Sequence, residues 1–457
     1  MTAERPRIWL HALAVLTLCL AGYLLAQREI DDQRPVADET QYVVMAYNAF
    51  YRGVISLTPL DQEQAVPSAY REPGYPVLLA AVMMLDSRLA SSAVRCLAAD
   101  ADDCEQVYAG PRQANVILMI GAGVLVWIAV WRLVRRPGVA HLALFLLLGN
   151  LELHEFNTFL ISDLLALFLT ALLSLLLLVS HQSGRPIAAA AVGAVLGVLV
   201  LTKSAFVLLA VAVGALFLVR LWRDAGARRR HGMGLVLFVV VHGMVVGAWI
   251  ARNEIALGHP VLTERGGHVL AHRVELNTMT ATEYGVAFLW WTRGFGDNFA
   301  RRWLPEAAYR RFELDRPEGF YNAGQANWQA AVQREKTSGL GDWAAEQVVT
   351  DRMVDEILGQ LPKNVVTTLP IAYRGLFIDE FIVLTLPALI VLLIGAARRL
   401  PAYYWFALPG LYVIGFHSFL TLNLPRFNIP ALPALAAAGA ITLWWGLQRW
   451  RAARSDQ

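Results

Sequence analysis

Charge is what this sequence has least of. Only 16% of its 457 residues are charged, while 57% are hydrophobic and the mean hydropathy is +0.46; a soluble surface cannot be assembled from that balance. No glycine-rich nucleotide loop stands near a βα unit, which disfavours a cytoplasmic enzyme of nucleotide-sugars or ATP. Neither a Gly-x-Ser-x-Gly elbow nor a His-Glu-x-x-His pair occurs, so serine hydrolase and zincin chemistry lack support. The alternation of a membrane barrel is missing, and so is the internal repeat expected of many transporters. The net charge is a modest +3, with basic residues in short clusters that read as membrane orientation. No nucleic-acid partner is expected.

What is present is a series of apolar runs of near-spanning length. Backbone polar groups in lipid must be satisfied within each segment, so these runs predict an all-α integral membrane protein. The architecture expected is a polytopic helical bundle of about ten full spans plus a re-entrant segment, with an extracytoplasmic helical cap. Residues 8–26 follow Arg5 and Arg7 and read as an uncleaved anchor rather than a signal peptide, because the run is longer than a signal h-region. A first outer loop, 27–74, comes next. The run 75–85 is short and is read as re-entrant; the alternative is a span with the basic loop at Arg135-Arg136 turned outward. Further spans are expected at 114–134, 139–150, 162–179, 187–201, 204–222, 234–250, 377–396, 403–420 and 428–445. Arg220, Arg223 and Arg228-Arg229-Arg230 mark the strongest cytoplasmic cluster. The domain organisation expected is a transmembrane catalytic module over 1–251, a cap over 252–376, and C-terminal helices with a cytoplasmic tail over 377–457.

Cysteine is scarce, and its placement leaves two readings open. Cys19 lies in the first span, while Cys96 and Cys104 either face an oxidising compartment and can pair, or are free thiols in a cytoplasmic loop.

Several ionisable groups are out of place for lipid contact. Asp38-Glu39 and Tyr42 follow the first span, Arg71-Glu72-Pro73-Gly74 returns the chain to the membrane, and His154-Glu155, Asp163 and Lys203 stand beside or within apolar runs. By the span count all of these fall on the outer side. Such a residue costs several kcal/mol unless it is paired or wet, so function is the default suspicion. Each also has a plain structural reading. Asp163 beside Ser162 can cap a helix, Lys203 can snorkel to the headgroups, and Glu72 can pair with Arg71. Asp31 and Asp32 read as solvated loop charges. Acids and bases from separate segments converging on one face favour the functional reading.

These residues carry a resemblance. The succession of an apolar anchor, Asp38-Glu39 with Tyr42, Arg71-Glu72-Pro73, Ser162-Asp163-Leu164 and Leu201-Thr202-Lys203-Ser204 resembles the GT-C class of polytopic glycosyltransferases. Within that class it looks nearest to bacterial relatives of the protein O-mannosyltransferases and of the lipid A aminoarabinose transferases. Arg252-Asn253 with Gly258-His259-Pro260-Val261-Leu262 and Gly266-Gly267, then Pro425-Arg426-Phe427-Asn428-Ile429-Pro430-Ala431-Leu432-Pro433, are similar to later segments of those proteins. Two departures stand out. Gly74 replaces a second proline, and there is no large C-terminal soluble domain like that of oligosaccharyltransferase.

The resemblance implies an enzyme of the bacterial cytoplasmic membrane with its site on the periplasmic side. It implies inverting transfer of a sugar from a polyprenyl-phosphate donor to a lipid, glycan or protein acceptor. By correspondence Asp38 is the acid that orients or deprotonates the acceptor, Glu39 assists it, and Asp163 is the second acidic position. Arg71, Lys203 and Arg252 are candidates for the donor phosphate; Tyr42, Glu72, Glu155 and Arg426 are candidates for substrate contact. Metal use is left open by the resemblance, with Asp38 and Asp163 as candidate ligands for Mg²⁺ or Mn²⁺. Trp290, Trp291, Trp303 and Trp328 of the cap either stack on sugar rings or anchor at the interface. The competing readings are a transporter or flippase of lipid-linked sugars and a structural membrane protein.

Overall fold

In a computed structural model the chain is described over residues 8–30, 33–86, 88–89, 107–378 and 380–455. Asp31, Asp32, Cys96 and Cys104 lie outside the described residues. No strand occurs among those described. The chain divides into two compact units: Met1–Leu262 with Asp379–Leu411 and Ile429–Gln457, and Thr263–Ile378 with Tyr412–Asn428.

The N-terminal part of the first unit contains α1 (Ile8–Glu29), α2 (Asp38–Arg52), α3 (Gly74–Leu85), α4 (Ala109–Val134) and α5 (Pro137–Leu148). It continues through α6 (Leu151–Glu155), α7 (Asp163–Ser183), α8 (Pro186–Thr202), α9 (Leu209–Arg223) and α10 (Arg228–Leu257). Helices α11 (Gly266–Leu276), α12 (Ala281–Trp290), α13 (Gly296–Trp303), α14 (Glu306–Tyr309), α15 (Phe320–Thr337), α16 (Asp342–Gly359) and α17 (Leu361–Gly375) belong to the second. The described chain closes with α18 (Ile382–Arg399), α19 (Ala402–Leu420) and α20 (Leu432–Ser455).

Among the described residues, six helical stretches are long and apolar enough to cross a membrane: Trp9–Glu29, Ala109–Val134, Asp163–Ser183, Ser204–Arg223, Ala225–Leu257 and Pro425–Arg454. Four more apolar helices are shorter, among them Gly74–Leu85. Its 12 residues rise roughly 18 Å, well short of a hydrocarbon core of about 30 Å. On α1 the large apolar side chains Trp9, Leu13, Leu16 and Leu20 face outward, as lipid contact permits. Close helix approach inside the unit uses small residues. A Cβ on Gly193 of α8 would lie 2.5 Å from the Phe238 carbonyl of α10, and one on Gly197 would lie 2.8 Å from Val245; this is the small-residue spacing by which membrane helices bring their backbones together.

One element was absent from the sequence reading. The stretch expected to be part of an outer loop contains α2, with Asp38 and Glu39 in its first turn and Gly53 at its C-cap in the left-handed conformation. Its buried residues are Glu39 and the run from Tyr42 to Asn48, so tertiary burial supports it.

The second unit is helical around two apolar clusters. One gathers Ala271, Trp328, Ala345, Val349 and Met353; the other gathers Leu276, Phe312, Phe320, Ile371 and Leu422. Trp328 is therefore a core residue, whereas Trp303 is exposed. Arg273 is fully buried beneath α17, donating to Asn364 Oδ1 (2.7 Å), Thr367 Oγ1 (3.0 Å) and Thr368 Oγ1 (3.0 Å).

Candidate active site

Four segments far apart in sequence meet where α2, α3 and α7 begin and α8 ends. Arg71, at the entrance to α3, is only 3% exposed. Its Nη2 pairs with Asp38 Oδ1 at the first turn of α2, and its Nε donates to Gln41 Oε1 at 2.7 Å. Its guanidinium lies 5.2 Å from the ring centre of Tyr42. Asp38 enters α2 from Ala37, a non-glycine residue at φ +50°. Such backbone conformations cost of order 1–3 kcal/mol and persist only where the surroundings impose them.

The second pair stands at the junction of α7 and α8. Asp163, in the first turn of α7, pairs with Lys203, which follows the last residue of α8. Their side chains are 7% and 15% exposed. Lys203 is thus engaged by a carboxylate rather than only reaching toward headgroups. Ser162, at the N-cap, makes no side-chain cap hydrogen bond.

Tyr42 links the pairs. Its hydroxyl donates to Ser162 Oγ at 3.4 Å, and its ring meets Tyr75 edge-on with centres 5.3 Å apart. Burial first, and Glu72 next, push the Tyr42 phenol up to about 12, with Arg71 and Asp163 also near enough to act on it. At neutral pH it is a protonated donor amid charged groups.

Two carboxylates hold this frame together. Glu39 is 5% exposed; Oε1 accepts from the Leu160 amide at 2.7 Å and Oε2 from the Val36 amide at 3.2 Å. It ties α2 to the segment entering α7. Glu72 accepts from the Ser204 amide at 2.9 Å, so its described hydrogen bond is to the residue after Lys203 and not to Arg71. The segments around them also touch directly. A Cβ on Gly74 would lie 2.4 Å from Thr202 Oγ1 and 2.9 Å from the Leu201 carbonyl, so this close approach leaves no room for a side chain.

Other sequence candidates fall elsewhere. Arg252 donates to the carbonyls of Ser68 (3.3 Å) and Ile55 (3.1 Å) and lies 4.9 Å from the Trp249 ring centre; its described contacts brace the loop before Arg71. Glu155 ends α6 with an exposed side chain, and no described contact joins it to either pair. Arg426 belongs to the second unit, 5.5 Å from the Phe427 ring centre. Sequence reasoning missed Gln41, Arg112 and Asn115, and named Ser162 only as the neighbour of Asp163. Arg112 donates to the carbonyls of Thr158 (2.6 Å) and Gln33 (2.7 Å). Asn115 accepts from Tyr75 Oη at 3.1 Å and donates to the Phe159 carbonyl at 2.9 Å. Their only signal was polarity at the start of an apolar run.

No group of three or more His, Cys, Asp or Glu suited to a metal gathers among the described residues. A divalent ion on Asp38 and Asp163 would take its other ligands from water or a substrate oxygen.

Neither a family model nor a curated protein matches the sequence. The fold does have known counterparts. It is similar to that of an archaeal oligosaccharyltransferase. Against the Archaeoglobus fulgidus enzyme in the apo form the TM-score is 0.52, at 13% identity, over 99% of this chain and 52% of that one. The same enzyme tethered by a disulfide to an acceptor peptide containing the NVT sequon gives 0.51, at 13% identity, over 98% and 51%. ArnT from Cupriavidus metallidurans bound to undecaprenyl phosphate gives 0.48, at 14% identity, over 95% and 62%. The chain spans about half the length of the oligosaccharyltransferase. At these identities the likeness is one of fold, and it bears out the all-helical polytopic architecture expected from the apolar runs.

Proposed function

We propose that the protein is a glycosyltransferase that moves a sugar from a polyprenyl-phosphate donor to a lipid, glycan or protein acceptor at the outer face of the membrane. The observation that carries this reading is the convergence of two carboxylate–cation pairs, Asp38–Arg71 and Asp163–Lys203, around the buried Tyr42. Transfer from a glycosyl phosphate requires both kinds of group. The acceptor hydroxyl attacks the anomeric carbon while the bond from that carbon to the phosphate oxygen breaks. Its electron pair leaves with the phosphate and the acceptor proton passes to Asp38. One such displacement inverts the anomeric centre. Arg71 and Lys203 receive the leaving phosphate, and Arg71 is able to grip two of its oxygens in parallel. In the resting arrangement Arg71 holds Asp38; an arriving phosphate competes for that guanidinium and releases the carboxylate toward the acceptor. Glu39 and Glu72 are positioning residues in this scheme, since each carboxylate accepts from a backbone amide of a neighbouring segment.

The placement of charge supports an outer-face site. Helix α7 begins at Asp163 and ends at Ser183. The following Gly184 adjoins Arg220 and Arg230, whose Nη2 atoms lie 3.1 and 2.5 Å from where its Cβ would stand. The basic cluster and the site are thus at opposite ends of a 21-residue helix, roughly 31 Å apart. Arginine clusters tend to stay in the cytoplasm, which supports a site on the outer face.

The test is transfer by the purified protein in nanodiscs, with radiolabelled polyprenyl-phosphate sugars and a pool of extracted acceptors. Asp38→Asn should lose roughly a hundredfold or more in rate, on the scale of an oxyanion-hole donor, while inserting normally. Donor that crosses the bilayer with no new bond formed would replace this reading with transport.

A further inference from the structure

The second unit holds a cleft that the transfer scheme does not use. Its walls include His272, Trp291, Arg311, Tyr321, Arg374 and Leu422, around about 310 Å³ of empty space that includes its open mouth.

The two cations in the wall differ. Arg311 is satisfied by carboxylates, with Nη2 at 2.7 Å from Glu275 Oε1 and Nη1 at 3.3 Å from Glu283 Oε2, and it lies 4.1 Å from the Phe320 ring centre. Arg374 has a single hydrogen bond among the described residues, 3.4 Å to the Leu422 carbonyl, and no carboxylate within ion-pair distance. Its guanidinium lies 5.1 Å from the ring centre of Trp291. Burial lowers its pKa to about 10, so it keeps its charge at pH 7. A half-buried cation with no anion among the described residues is costly, and this one lines the cleft. His272 beside it is neutral, its pKa lowered to about 4 by burial and secondarily by Arg374. Its ring stacks on Tyr321 with centres 4.6 Å apart. Among the described residues, the cleft therefore offers one positive charge with no carboxylate partner, beside aromatic rings.

We propose that this cleft binds an anionic sugar unit, with a carboxylate or phosphate on Arg374 and the sugar ring against Trp291. Only the further step of calling that unit part of the acceptor rests on the transfer reading. The plainer alternative is that Arg374 merely fastens α17 to the Leu422 carbonyl and Trp291.

Titration calorimetry on the full-length protein in phosphatidylcholine nanodiscs separates the two. The probes are glucuronate, glucose 1-phosphate, glucose, acetate and inorganic phosphate. The expected result is that glucuronate or glucose 1-phosphate binds at least about tenfold more tightly than glucose, with Arg374→Gln removing the difference. Which of the two charged sugars binds identifies the anion. Absence of binding by both, equal binding of glucose, or full retention in Arg374→Gln would overturn the proposal. Acetate or inorganic phosphate binding as tightly as the sugars would overturn the ring contact. Should Arg374→Gln fail to fold, Trp291→Leu supplies the second variant, and unchanged binding there refutes the stacking. The assay reads binding without transfer, so a negative result leaves the transfer reading intact, and a failed transfer assay leaves this one intact.

Discussion

The buried pair Asp163–Lys203 offers a way to separate holding the fold from doing chemistry. Its side chains are 7% and 15% exposed, so neither charge is relaxed by bulk water once its partner is gone. Removing one member of such a pair strands the other and costs about 3–5 kcal/mol, whereas replacing both with uncharged groups of similar shape is close to neutral. Lys203→Met and Asp163→Leu are apolar replacements of similar volume. Each single variant should therefore unfold several kcal/mol more easily than the parent, and the double variant should recover to within about 1 kcal/mol, a coupling of roughly 3 kcal/mol or more. The assay is denaturant unfolding of the three variants and the parent in identical nanodiscs, run beside the transfer assay. Stability should return in the double variant while transfer stays at least about a hundredfold down, because the proposed phosphate cation and second acid are both missing. Additive destabilisation would show that the two side chains are not coupled, and recovered transfer would remove both from the chemistry.

Three further outcomes follow from the same geometry. Gly74→Ala should cost about 1–3 kcal/mol and lower transfer, because its Cβ would sit 2.9 Å from the Leu201 carbonyl; unfolding and rate measurements check it, and Thr202→Ala should relieve it only in part. Tyr42→Phe should change stability by less than about 1 kcal/mol, since the hydroxyl's bond to Ser162 is 3.4 Å long. The parent phenol, raised from 10.0 to about 12, should contribute stability that is fully present below pH 10 and lost as pH rises toward 12, and the Phe variant should lack that alkaline loss. His272, lowered from 6.5 to about 4, works in the other direction. The unfolded state binds the proton first, so stability present above pH 6.5 should fall by on the order of 3 kcal/mol as pH drops through 4. His272→Phe, which keeps the stack on Tyr321, should flatten that slope in a pH series of unfolding curves.

Much of the architecture was legible because a membrane helix satisfies its backbone within its own segment. The apolar runs at 114–134 and 162–179 reappear as α4 and α7 for that reason. Helix α2 was also readable in principle, with two acids in the first turn and Gly53 at the end, but its polar residues resembled a loop until burial of its Tyr42–Asn48 stretch was seen. The acids and bases of the candidate site stood out as charges beside apolar runs. Their partners did not. The plain readings of Lys203 as a snorkelling side chain and of Glu72 as the partner of Arg71 were equally compatible with the sequence, while Gln41, Arg112 and Asn115 carried too weak a signal to be singled out.

The sequence by itself determined that this chain is a bundle of membrane helices and which of its charges are expensive, because hydropathy and the cost of burying a charge are properties of short segments. Only the tertiary structure decided which charges meet. Arg71 finds Asp38 across 33 positions and Lys203 finds Asp163 across 40, and such pairings depend on which helix ends adjoin. That adjacency is set by contacts with no signature in the local sequence: the bare backbone of Gly74 against Thr202, and the Glu39 and Glu72 carboxylates reaching amides of other segments.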